Sequence, residues 1–537
     1  MLAVLFSSLL LMPPGPSLEE SVLVEKGEPA AVRPVGTWTT RDGGLVGRGV
    51  GSMLWAKPLL GSGDWTMRAT ITITDLSKSA ASLMIAGSHF GFQGRSGEMF
   101  VEGPLFGGET RSLGSPLVHE GHPFQMRVTW HRGELSILID GEEVFALERE
   151  EPIRGDLGLR PHRAQMSVAD WSLEGSLEKR PNVEAPPFET DVFVSGTGDY
   201  HTFRIPSLLR APNGDLLAFA EGRRQSRSDT GDIDLVLRRS SDGGRNWSDL
   251  QVVWDDAGNT CGNPCPVVDQ KTGTIFLLMT WNLGTDHESA IKTAKSEDSR
   301  RVFVCQSPDN GRSWSTPREI TETTKHPEWR WYATGPGVGI QLERGEHAGR
   351  LVIPCDHSSE RSDIPGGYGS HIIYSDDHGD SWQMGEPISA GVNECQVIER
   401  EDGELLINMR NYVRTRRTRA IATSPDGGET WSKVSYDAAL IEPICQASLI
   451  RLRWSEDDEA GVLLFSNPAS TSGRHQMTVR LSEDQGRTWP IAKTLHEGAA
   501  AYSCLVALGR SDIGLLYEKD DYRKITFAAF DEAWLRK

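Results

Sequence analysis

The feature that most restricts the fold is an octapeptide of pattern SxDxGxxW, which occurs five times between residues 240 and 489. Within such a segment the Asp can accept bonds from backbone N–H groups that follow it, the Gly permits a positive φ, and the Trp can anchor the turn on apolar neighbours. We therefore expect each copy to be a structural turn between two strands. The copies are SSDGGRNW (240–247), SPDNGRSW (307–314), SDDHGDSW (375–382), SPDGGETW (424–431) and SEDQGRTW (482–489).

The spacing of the copies predicts a β-propeller. Their aspartates lie 67, 68, 49 and 58 residues apart. These intervals exceed the roughly 20–45 residues of a stacked solenoid repeat, but they suit four-stranded propeller blades that carry loops. Five copies require at least five blades, and a sixth blade without a copy would occupy the remaining length. The sequence therefore predicts an all-β fold with a six-bladed propeller over residues 191–537.

The pattern of residues 30–177 predicts a separate β domain. Apolar and polar residues alternate there with the period of half-buried strands. The alternation is clear in TMRATITITDL (66–76) and in FQMRVTWHRGELSILIDGEEVFAL (124–147). The pairs Arg132-Gly133 and Asp140-Gly141 interrupt it where hairpin turns need residues that tolerate a positive φ. We expect a β-sandwich here, followed by a Pro-rich linker at 178–190.

Composition excludes several classes of protein and site. The 56 Lys+Arg against 75 Asp+Glu give a net charge of −19, which argues against a protein that holds nucleic acid or an anionic membrane by bulk attraction. The seven cysteines are an odd number, and CGNPC (261–265) lacks the CxxC spacing of redox and zinc motifs. We therefore expect buried thiols and no structural metal.

Residues 1–17 contain the apolar run LAVLFSSLLLM, which is shorter than the roughly 20 residues of a membrane span but has the length of a signal-peptide core. No positive charge precedes this run, and a mis-assigned start codon would explain the missing charge. We expect no membrane span, and export to a periplasmic, extracellular or lysosome-like compartment.

The segment FRIP (203–206), taken with the five octapeptides, resembles the sialidase (neuraminidase) family. The resemblance extends over residues 192–530 and implies the family's six-bladed propeller. The N-terminal domain resembles concanavalin-like or laminin-G-like jelly rolls, and for it glycan binding, a docking wall and a second activity all stay open. Further segments match the family in the family's order: AFAEGRRQSRSD (218–229), NPCPVVD (263–269), GPGVGIQL (335–342), NECQVIE (393–399), INMRN (407–411), SNPASTSGR (466–474), AYSCL (501–505) and LYEKDDY (516–522).

The resemblance implies a pocket for sialic acid, whose carboxylate sits directly on the anomeric carbon. The planar fork of a guanidinium group pairs with a carboxylate through two hydrogen bonds. By motif match, the three arginines that would hold this carboxylate are Arg204 in FRIP, Arg410 in INMRN and Arg474 after SNP.

The resemblance also implies Tyr502 as nucleophile, Glu394 as its base and Asp229 as acid/base. A neutral phenol avoids the repulsion that a carboxylate nucleophile would meet from the carboxylate of the sugar, and a tyrosine nucleophile is a known property of sialidases. Asp232 and Asp234 are rival candidates for the acid. They lie in DIDLVL, which alternates as a strand, whereas Asp229 precedes it in a loop.

Further positions are implied by the same motifs. Glu518 in LYE would hold the FRIP arginine. The arginines 414, 416, 417 and 419 are interpreted as a solvated strand edge. Contacts to the rest of the substrate are expected from Arg223, Arg224, Asn263, Asp269, Asp356 and His357.

Together these matches imply a retaining exo-alpha-sialidase that acts on sialylated glycoproteins, glycolipids or oligosaccharides and uses no cofactor, while the net charge argues against a nucleic-acid partner. Two alternatives stay open. One is a non-catalytic propeller that binds sialoglycans, against which the joint presence of nucleophile, base and acid argues. The other is a trans-sialidase or a glycosidase for a related ulosonic acid, which the sequence does not separate from a hydrolase.

Overall fold

The computed structural model describes residues 19–537 except 76–80, 95–97, 109, 115–116, 181, 360–363, 365–366 and 414. The chain divides into two compact units, Met1–Arg180 and Pro181–Lys537. The apolar segment 1–17, for which we expect a role in export, lies outside the described residues.

The described part of the first unit is built from strands and one short 3-10 helix, Pro104–Phe106. Strand formation begins earlier than residue 30, since β1 starts at Glu19. The strands are β1 (Glu19–Glu25), β2 (Glu28–Pro29), β3 (Val32–Arg41), β4 (Gly44–Ala56), β5 (Leu59–Asp75), β6 (Ala81–Ile85), β7 (Ser88–Phe92), β8 (Met99–Glu102), β9 (Arg111–Gly114), β10 (Pro123–His131), β11 (Glu134–Ile139), β12 (Glu142–Glu148), β13 (Leu157–Arg160) and β14 (Gln165–Glu178).

These strands pair in the order β12-β11-β10-β5-β14-β4-β13-β6-β7-β8-β9, with β1, β2 and β3 attached beside this path. Alternate residues of β5, such as Met67 and Ile71, share one core with Leu83 of β6 and Phe90 of β7. The sheet therefore folds over a single apolar core, as a sandwich requires. The jelly-roll assignment of residues 30–177 stays a prediction.

The two predicted hairpin turns of this unit are confirmed. Arg132 and Gly133 have φ values of 50° and 88° between β10 and β11, and Asp140 and Gly141 have 49° and 88° between β11 and β12. Two successive positive φ values characterise the turn that matches the twist of the flanking strands.

The second unit is also all-β, apart from three short helices within its described residues. Its strands are β15 (Asn182–Val183), β16 (Phe188–Val194), β17 (Thr202–Arg210), β18 (Leu216–Arg223), β19 (Ile233–Ser240), β20 (Gln251–Trp254), β21 (Thr260–Val268), β22 (Ile275–Asn282), β23 (Arg301–Ser307), β24 (Arg318–Glu319), β25 (Tyr332–Thr334), β26 (Ile340–Gln341), β27 (Leu351–Ser358), β28 (Tyr368–Ser375), β29 (Gln383–Met384), β30 (Val392–Glu399), β31 (Leu405–Asn411), β32 (Thr418–Ser424), β33 (Ser435–Ile441), β34 (Ser448–Arg453), β35 (Val462–Pro468), β36 (His475–Ser482), β37 (Ile491–Ala507), β38 (Asp512–Lys519) and β39 (Lys524–Asp531). The helices are α1 (Glu288–Lys292), α2 (Thr321–Thr324) and α3 (Glu532–Arg536).

The pairing of these strands repeats a meander of antiparallel neighbours, as in propeller blades. The long strand β37 takes part twice, pairing with β36 before residue 500 and with β38 from residue 500 onward. The number of blades stays a prediction that this pairing supports. The groups are β17-β18-β19-β20, β21-β22-β23-β24, β25/β26-β27-β28-β29, β30-β31-β32-β33, β34-β35-β36-β37 and β37-β38-β39-β16.

The predicted linker 178–190 contains strand residues in the structure. β15 pairs with β37, and β16, which begins at Phe188, pairs antiparallel with β39 along its whole length. A Pro-rich stretch can supply such strands at the edge of a sheet, where backbone N–H groups are needed on one side only. The first strands of the second unit therefore complete the sheet that its last strands form.

The octapeptides form the predicted turns. In the copy at 307–314 the Asp309 carboxylate accepts bonds from the Ser313 N–H at 2.9 Å, the Ser313 hydroxyl at 2.6 Å and the Ser307 hydroxyl at 2.8 Å. The predicted positive φ is present at the fifth position of every copy, which the glycines Gly244, Gly311, Gly379, Gly428 and Gly486 occupy.

Each octapeptide packs onto a neighbouring group of strands. Gly244 has a φ of 89°, and a Cβ atom there would lie 2.1 Å from the Phe527 ring, so only glycine fits. Trp247 lies edge-on to the same ring, with centroids 5.6 Å apart. Because Phe527 belongs to β39, this turn joins the first strand group to the last. Comparable ring contacts are Trp314 with Phe219 and Trp382 with Phe276, whereas the copy at 482–489 meets the neighbouring group through Gly486, where a Cβ atom would lie 3.0 Å from Leu406 of β31.

These turns predict a loss of stability in acid. Hydrogen bonds from Asn246 and Ser313 hold the pKa values of Asp242 and Asp309 at about 2. A carboxyl with a depressed folded pKa contributes stability above its unfolded pKa of about 4, and that contribution is lost as the pH falls toward the folded value. Asp309→Asn should therefore lower the urea midpoint at pH 7, and the difference from wild type should shrink between pH 5 and pH 3. A difference that stays constant over this range would contradict the prediction.

Candidate active site

Three strands of the second unit, β17, β30 and β37, carry β-bulges, and these bulges direct the candidate site residues. A bulge sets two residues against one, bends the strand and changes the direction of side chains. Glu394 and Tyr502 lie inside bulges of β30 and β37, opposite Arg410 and Glu518 respectively. Arg204 adjoins the bulge of β17, where the β-branched Ile205 has a φ of 60°. Such strained backbone conformations concentrate at functional sites.

The three predicted arginines meet around Tyr502. Arg410 Nη1 donates to the Tyr502 hydroxyl at 3.0 Å. The guanidinium carbons of Arg204 and Arg474 lie 5.2 and 5.4 Å from the centre of the Tyr502 ring. Three positive groups that lie far apart in the sequence therefore surround one phenol. This arrangement can hold a carboxylate above the ring.

Tyr502 and Glu394 form a direct pair, in which the phenol donates to Glu394 Oε1. Arg410 Nη1 lies 2.5 Å from Glu394 Oε2, so one guanidinium contacts both partners. Burial and the Glu394 carboxylate raise the pKa of Tyr502 well above its usual value, although Arg410 and Arg474 oppose this shift. The phenol is therefore neutral in the free protein, with a carboxylate placed to take its proton.

Glu518 links Arg204 to Tyr502. Its Oε1 accepts bonds from Arg204 Nε at 2.8 Å and the Ile205 N–H at 3.0 Å. Its Oε2 accepts from the Tyr502 N–H at 3.0 Å. Although burial lowers the pKa of Arg204, the Glu518 carboxylate more than offsets this effect and keeps the guanidinium charged. Glu518 thus orients an arginine and a backbone segment.

Asp229 is the predicted acid that lies beside the arginines. Its carboxylate is 2.8 Å from Arg223 Nη2 and 3.5 Å from Arg204 Nη1, and its side chain is 61% exposed. Partial burial raises the pKa of Asp229, whereas Arg223 and Arg204 lower it, and the net pKa lies below the usual value. Arg223 is buried and also donates to Glu221 at 2.7 Å, so its contacts position Asp229.

The two rival aspartates lie elsewhere. The Asp234 carboxylate accepts bonds from the Tyr200 hydroxyl at 2.5 Å and from Arg224 Nη2 at 2.6 Å, and it is fully buried. Asp232 lies 3.4 Å from Arg224 Nε. Arg224 thus belongs to this group, and of the three aspartates Asp229 alone has a described contact with one of the three converging arginines.

Asn263 lies within β21, whereas Asp269 directly follows the end of this strand. The Asn263 N–H donates to Glu221 at 2.9 Å, and its side-chain oxygen accepts from Arg300 Nη2 at 2.6 Å, which places Asn263 near Asp229. Asp269 instead accepts bonds from Thr272, Lys271 and Gln341 in a turn. The structure therefore does not bring Asp269 to the arginines.

Asp356 and His357 point to opposite sides of β27, as successive strand residues do. Both are 1% exposed. The His357 ring stacks on Trp329 with centroids 3.6 Å apart, and burial lowers the pKa of His357 to about 3. His357 is thus part of a buried aromatic group. Neither carboxylate oxygen of Asp356 has a hydrogen-bond partner among the described residues.

The interpretation of the arginine run as a solvated strand edge is wrong for Arg419. This side chain is fully buried, where it donates to Glu442 and to Asn408, each at 2.6 Å. A buried arginine can be accommodated because its donors are matched by acceptors. Arg416 is exposed and Arg417 half-buried, as expected near an edge, and position 414 lies outside the described residues.

Two residues of the site had no role in the sequence analysis. Tyr522 lies under Arg204, whose guanidinium carbon is 4.3 Å from the ring centre, and its hydroxyl accepts a bond from Arg474 Nη1 at 3.2 Å. Arg300 is buried and stacks over Trp331 at 3.8 Å. Tyr522 belongs to a quoted motif and could have been found there, whereas no motif marks Arg300.

Helices of the described residues have at most five residues, far short of a membrane span. Within the same residues, no three His, Cys, Asp or Glu side chains are grouped as metal ligands.

Comparison with known sequences gives consistent matches. The profile of the BNR repeat-like domain family matches residues 214–515. A sialidase of Micromonospora viridifaciens is 37% identical over an alignment of 360 residues, and the match covers 65% of this chain and 54% of that protein. A Bacteroides fragilis sialidase is 33% identical, and the match spans 61% of it. An exo-alpha-sialidase of Aspergillus fumigatus is 33% identical over 69% of this chain and 92% of that protein.

Comparison with solved structures confirms the predicted propeller type of fold. A Hadza microbial sialidase has a TM-score of 0.58 and 25% identity, over 90% of this chain and 96% of that one. A leech intramolecular trans-sialidase has a TM-score of 0.56 and 18% identity, over 89% and 95% of the two chains.

Proposed function

Because the chain belongs to the sialidase family, we propose that it is an exo-alpha-sialidase, which releases terminal alpha-linked sialic acids from glycoproteins, glycolipids or oligosaccharides. The observation that carries the proposal is the convergence of Arg204, Arg410 and Arg474 on Tyr502, which is itself bonded to Glu394. The three arginines can bind an anionic sugar, and the Tyr502 hydroxyl can attack its anomeric carbon.

Binding begins with the sugar carboxylate, which the three guanidinium groups hold. Tyr522 and Glu518 keep two of these groups in place before the substrate arrives, so little side-chain order has to be gained on binding. In this pose the anomeric carbon faces the Tyr502 hydroxyl.

In the first chemical step the Tyr502 oxygen bonds to the anomeric carbon while its proton passes to Glu394. The bond to the leaving oxygen breaks, and Asp229 gives that oxygen a proton. In the second step Asp229, now a carboxylate, takes a proton from water. The water oxygen displaces Tyr502, which recovers its proton from Glu394. Two displacements at one carbon retain the anomeric configuration.

Asp229 must carry a proton for this role, although Arg223 and Arg204 lower its pKa in the free protein. A bound sugar carboxylate neutralises part of the positive field of Arg204. A negative charge close to Asp229 also favours its protonated form. Substrate binding thus raises the pKa of this carboxyl in the direction that catalysis needs.

We expect Asp229→Ala to affect substrates according to their leaving groups. General acid catalysis contributes typically about 10²–10⁴-fold, and only a poor leaving group needs it fully. The variant should lose about 10²-fold or more in kcat/KM on a sialyllactose, and much less on a 4-methylumbelliferyl sialoside. Asp232→Ala serves as the control. Equal losses of Asp229→Ala on both substrates would contradict the assignment.

The proposal is tested by proton NMR of the first product released from a sialoside. A retained anomer supports the double displacement, and an inverted one removes Tyr502 as nucleophile. Transfer of sialic acid to an added acceptor, or formation of an anhydro product, would point to a trans-sialidase. Binding of sialosides without turnover would point to a lectin-like propeller. We further propose that residues 30–177 form an accessory domain, for which glycan contact and a structural docking role both stay open, and that the protein is exported.

A further inference from the structure

Asp229, the proposed acid, stands on an exposed loop. Residues 224–232, which we call the acid loop, join β18 to β19, and the Asp229 side chain is 61% exposed. The described ion pairs of Asp229, with Arg223 and Arg204, depend on the negative charge of its carboxylate, whereas a general acid carries a proton. The position of the protonated acid therefore depends on other contacts of the loop.

Hydrogen bonds through two threonine hydroxyls anchor the acid loop directly after Asp229. Thr230 is 9% exposed, and its hydroxyl lies 2.8 Å from His287 Nδ1. The Gly231 N–H donates to the Thr260 hydroxyl at 3.2 Å, and that hydroxyl donates to the Gly231 carbonyl at 2.9 Å. Thr260 belongs to β21, and His287 lies in the connection between β22 and β23. The neighbouring strand group thus holds the residues that follow the proposed acid.

The side chain of His287 bonds to the acid loop and not to the helix that it precedes. His287 is the N-cap residue of α1, a position whose side chain often accepts from the first N–H groups of the helix. Its ring makes no such bond and contacts Thr230 in another strand group instead. A hydroxyl both donates and accepts, so this contact suits either protonation state of the ring.

The backbone next to His287 is firmly held. The buried Asp286 carboxylate accepts bonds from the N–H groups of Glu297 at 3.0 Å and Asp298 at 2.9 Å. The Asn282 side chain at the end of β22 donates to the Asp286 carbonyl at 3.3 Å. Because these bonds fix the residue before His287 relative to β22, a bond from the His287 ring can restrain the acid loop.

We infer that His287 is a positioning residue, which holds Asp229 through the Thr230 hydroxyl at the place where the leaving oxygen of the substrate is protonated. The inference rests on the proposed function. The contact between Thr230 and His287 does not involve the carboxyl group, so it supports Asp229 equally as acid and as base. A misplacement of about 1 Å can cost about 10²-fold in rate, which is why an exposed acid needs such a support.

The experiment compares two substrates that differ in their need for an acid, a sialyllactose and a 4-methylumbelliferyl sialoside. Values of kcat and KM are measured for wild type, His287→Ala, Thr230→Val, the double variant and His287→Asn, whose side chain can place a polar atom close to the position of Nδ1. The matched control is Thr293→Val, which removes a hydroxyl bond to the Ser289 carbonyl at the other end of α1. Thermal unfolding compares the stability of all variants.

We expect His287→Ala and Thr230→Val each to lose about tenfold in kcat on the sialyllactose, and at most about twofold on the other substrate. The double variant should lose no more than either single variant, because both remove the same contact. His287→Asn and Thr293→Val should stay within about threefold of wild type on both substrates. The inference would be overturned by equal losses of His287→Ala on the two substrates, by multiplied losses in the double variant, or by a control that reproduces the difference between substrates.

Failure of the proposed function gives a different result, namely no hydrolysis of either substrate by wild type, or an Asp229→Ala variant that affects both substrates equally. In both cases hydrogen exchange of the backbone amides in the acid loop, read by mass spectrometry, decides whether His287 holds this loop. His287→Ala should exchange there about fivefold faster than wild type, while Thr293→Val should not. Equal exchange in wild type and His287→Ala would then overturn the inference.

Discussion

Tyr502→Phe is expected to lower kcat for release of sialic acid by about 10³-fold or more, because it removes the proposed nucleophile. The substitution keeps the ring over which Arg204 and Arg474 lie, and it removes only the hydroxyl that contacts Glu394 and Arg410. The arginines proposed to bind the sugar carboxylate therefore stay in place, and KM should change little. Initial rates on a fluorogenic sialoside measure both constants.

The matched control is Tyr517→Phe. Tyr517 is also fully buried, and its hydroxyl donates to Glu189 at 2.6 Å on another part of the last strand group. This variant should keep kcat within about threefold of wild type. Its free energy of unfolding should fall by about as much as that of Tyr502→Phe. A Tyr502→Phe variant that retains more than a tenth of the wild-type kcat and still releases the retained anomer would be incompatible with a tyrosine nucleophile.

Glu518→Gln is expected to have the largest effect on stability, a loss of about 3–5 kcal/mol in the free energy of unfolding. The carboxylate is 1% exposed and accepts bonds from Arg204, the Ile205 N–H and the Tyr502 N–H. The amide of Gln carries no charge, and one of its two polar atoms is a donor that would face another donor. The charge of Arg204 is then buried without its main partner.

The same change should raise KM at least about tenfold, because Arg204 and Tyr502 lose their common support. Glu442→Gln separates the two effects, since Glu442 is equally buried and pairs with Arg419 at 2.6 Å. Urea unfolding should show comparable losses for the two variants. A rise in KM of the same size in both would mean that Glu518 acts through stability alone.

Motifs with a local physical cause were sufficient to predict most of the second unit. The octapeptide turns need only an Asp, a Gly and a Trp at fixed spacing, and all five glycines adopt the predicted positive φ. The resemblance likewise placed Arg204, Arg410 and Arg474 in one site, although long intervals separate them in sequence. Their convergence depends on strand order and on the bulges of the inner strands, which no local pattern reveals.

Features that depend on three-dimensional neighbours were missed. Arg419 follows other arginines and was interpreted as solvated, but Glu442 and Asn408 approach it from other strands and make its burial tolerable. Arg300 stands in the unremarkable segment EDSRR, and only the fold sets it against Trp331 and Asn263. The unpaired state of Asp356 is likewise a property of its surroundings, which sequence spacing does not encode.

The pairing of β16 with β39 makes the proposed catalytic centre depend on both ends of the second unit. Tyr502 and Glu518 belong to the strands that β16 completes, and Arg204 belongs to the strand group that follows β16 in the chain. The junction between the first and the last strand groups therefore runs between the proposed nucleophile and Arg204. A fragment intended for enzymology has to begin before Phe188, since a later start would leave β39 as an open edge. The strand groups that carry Tyr502 and Arg204 could then move apart.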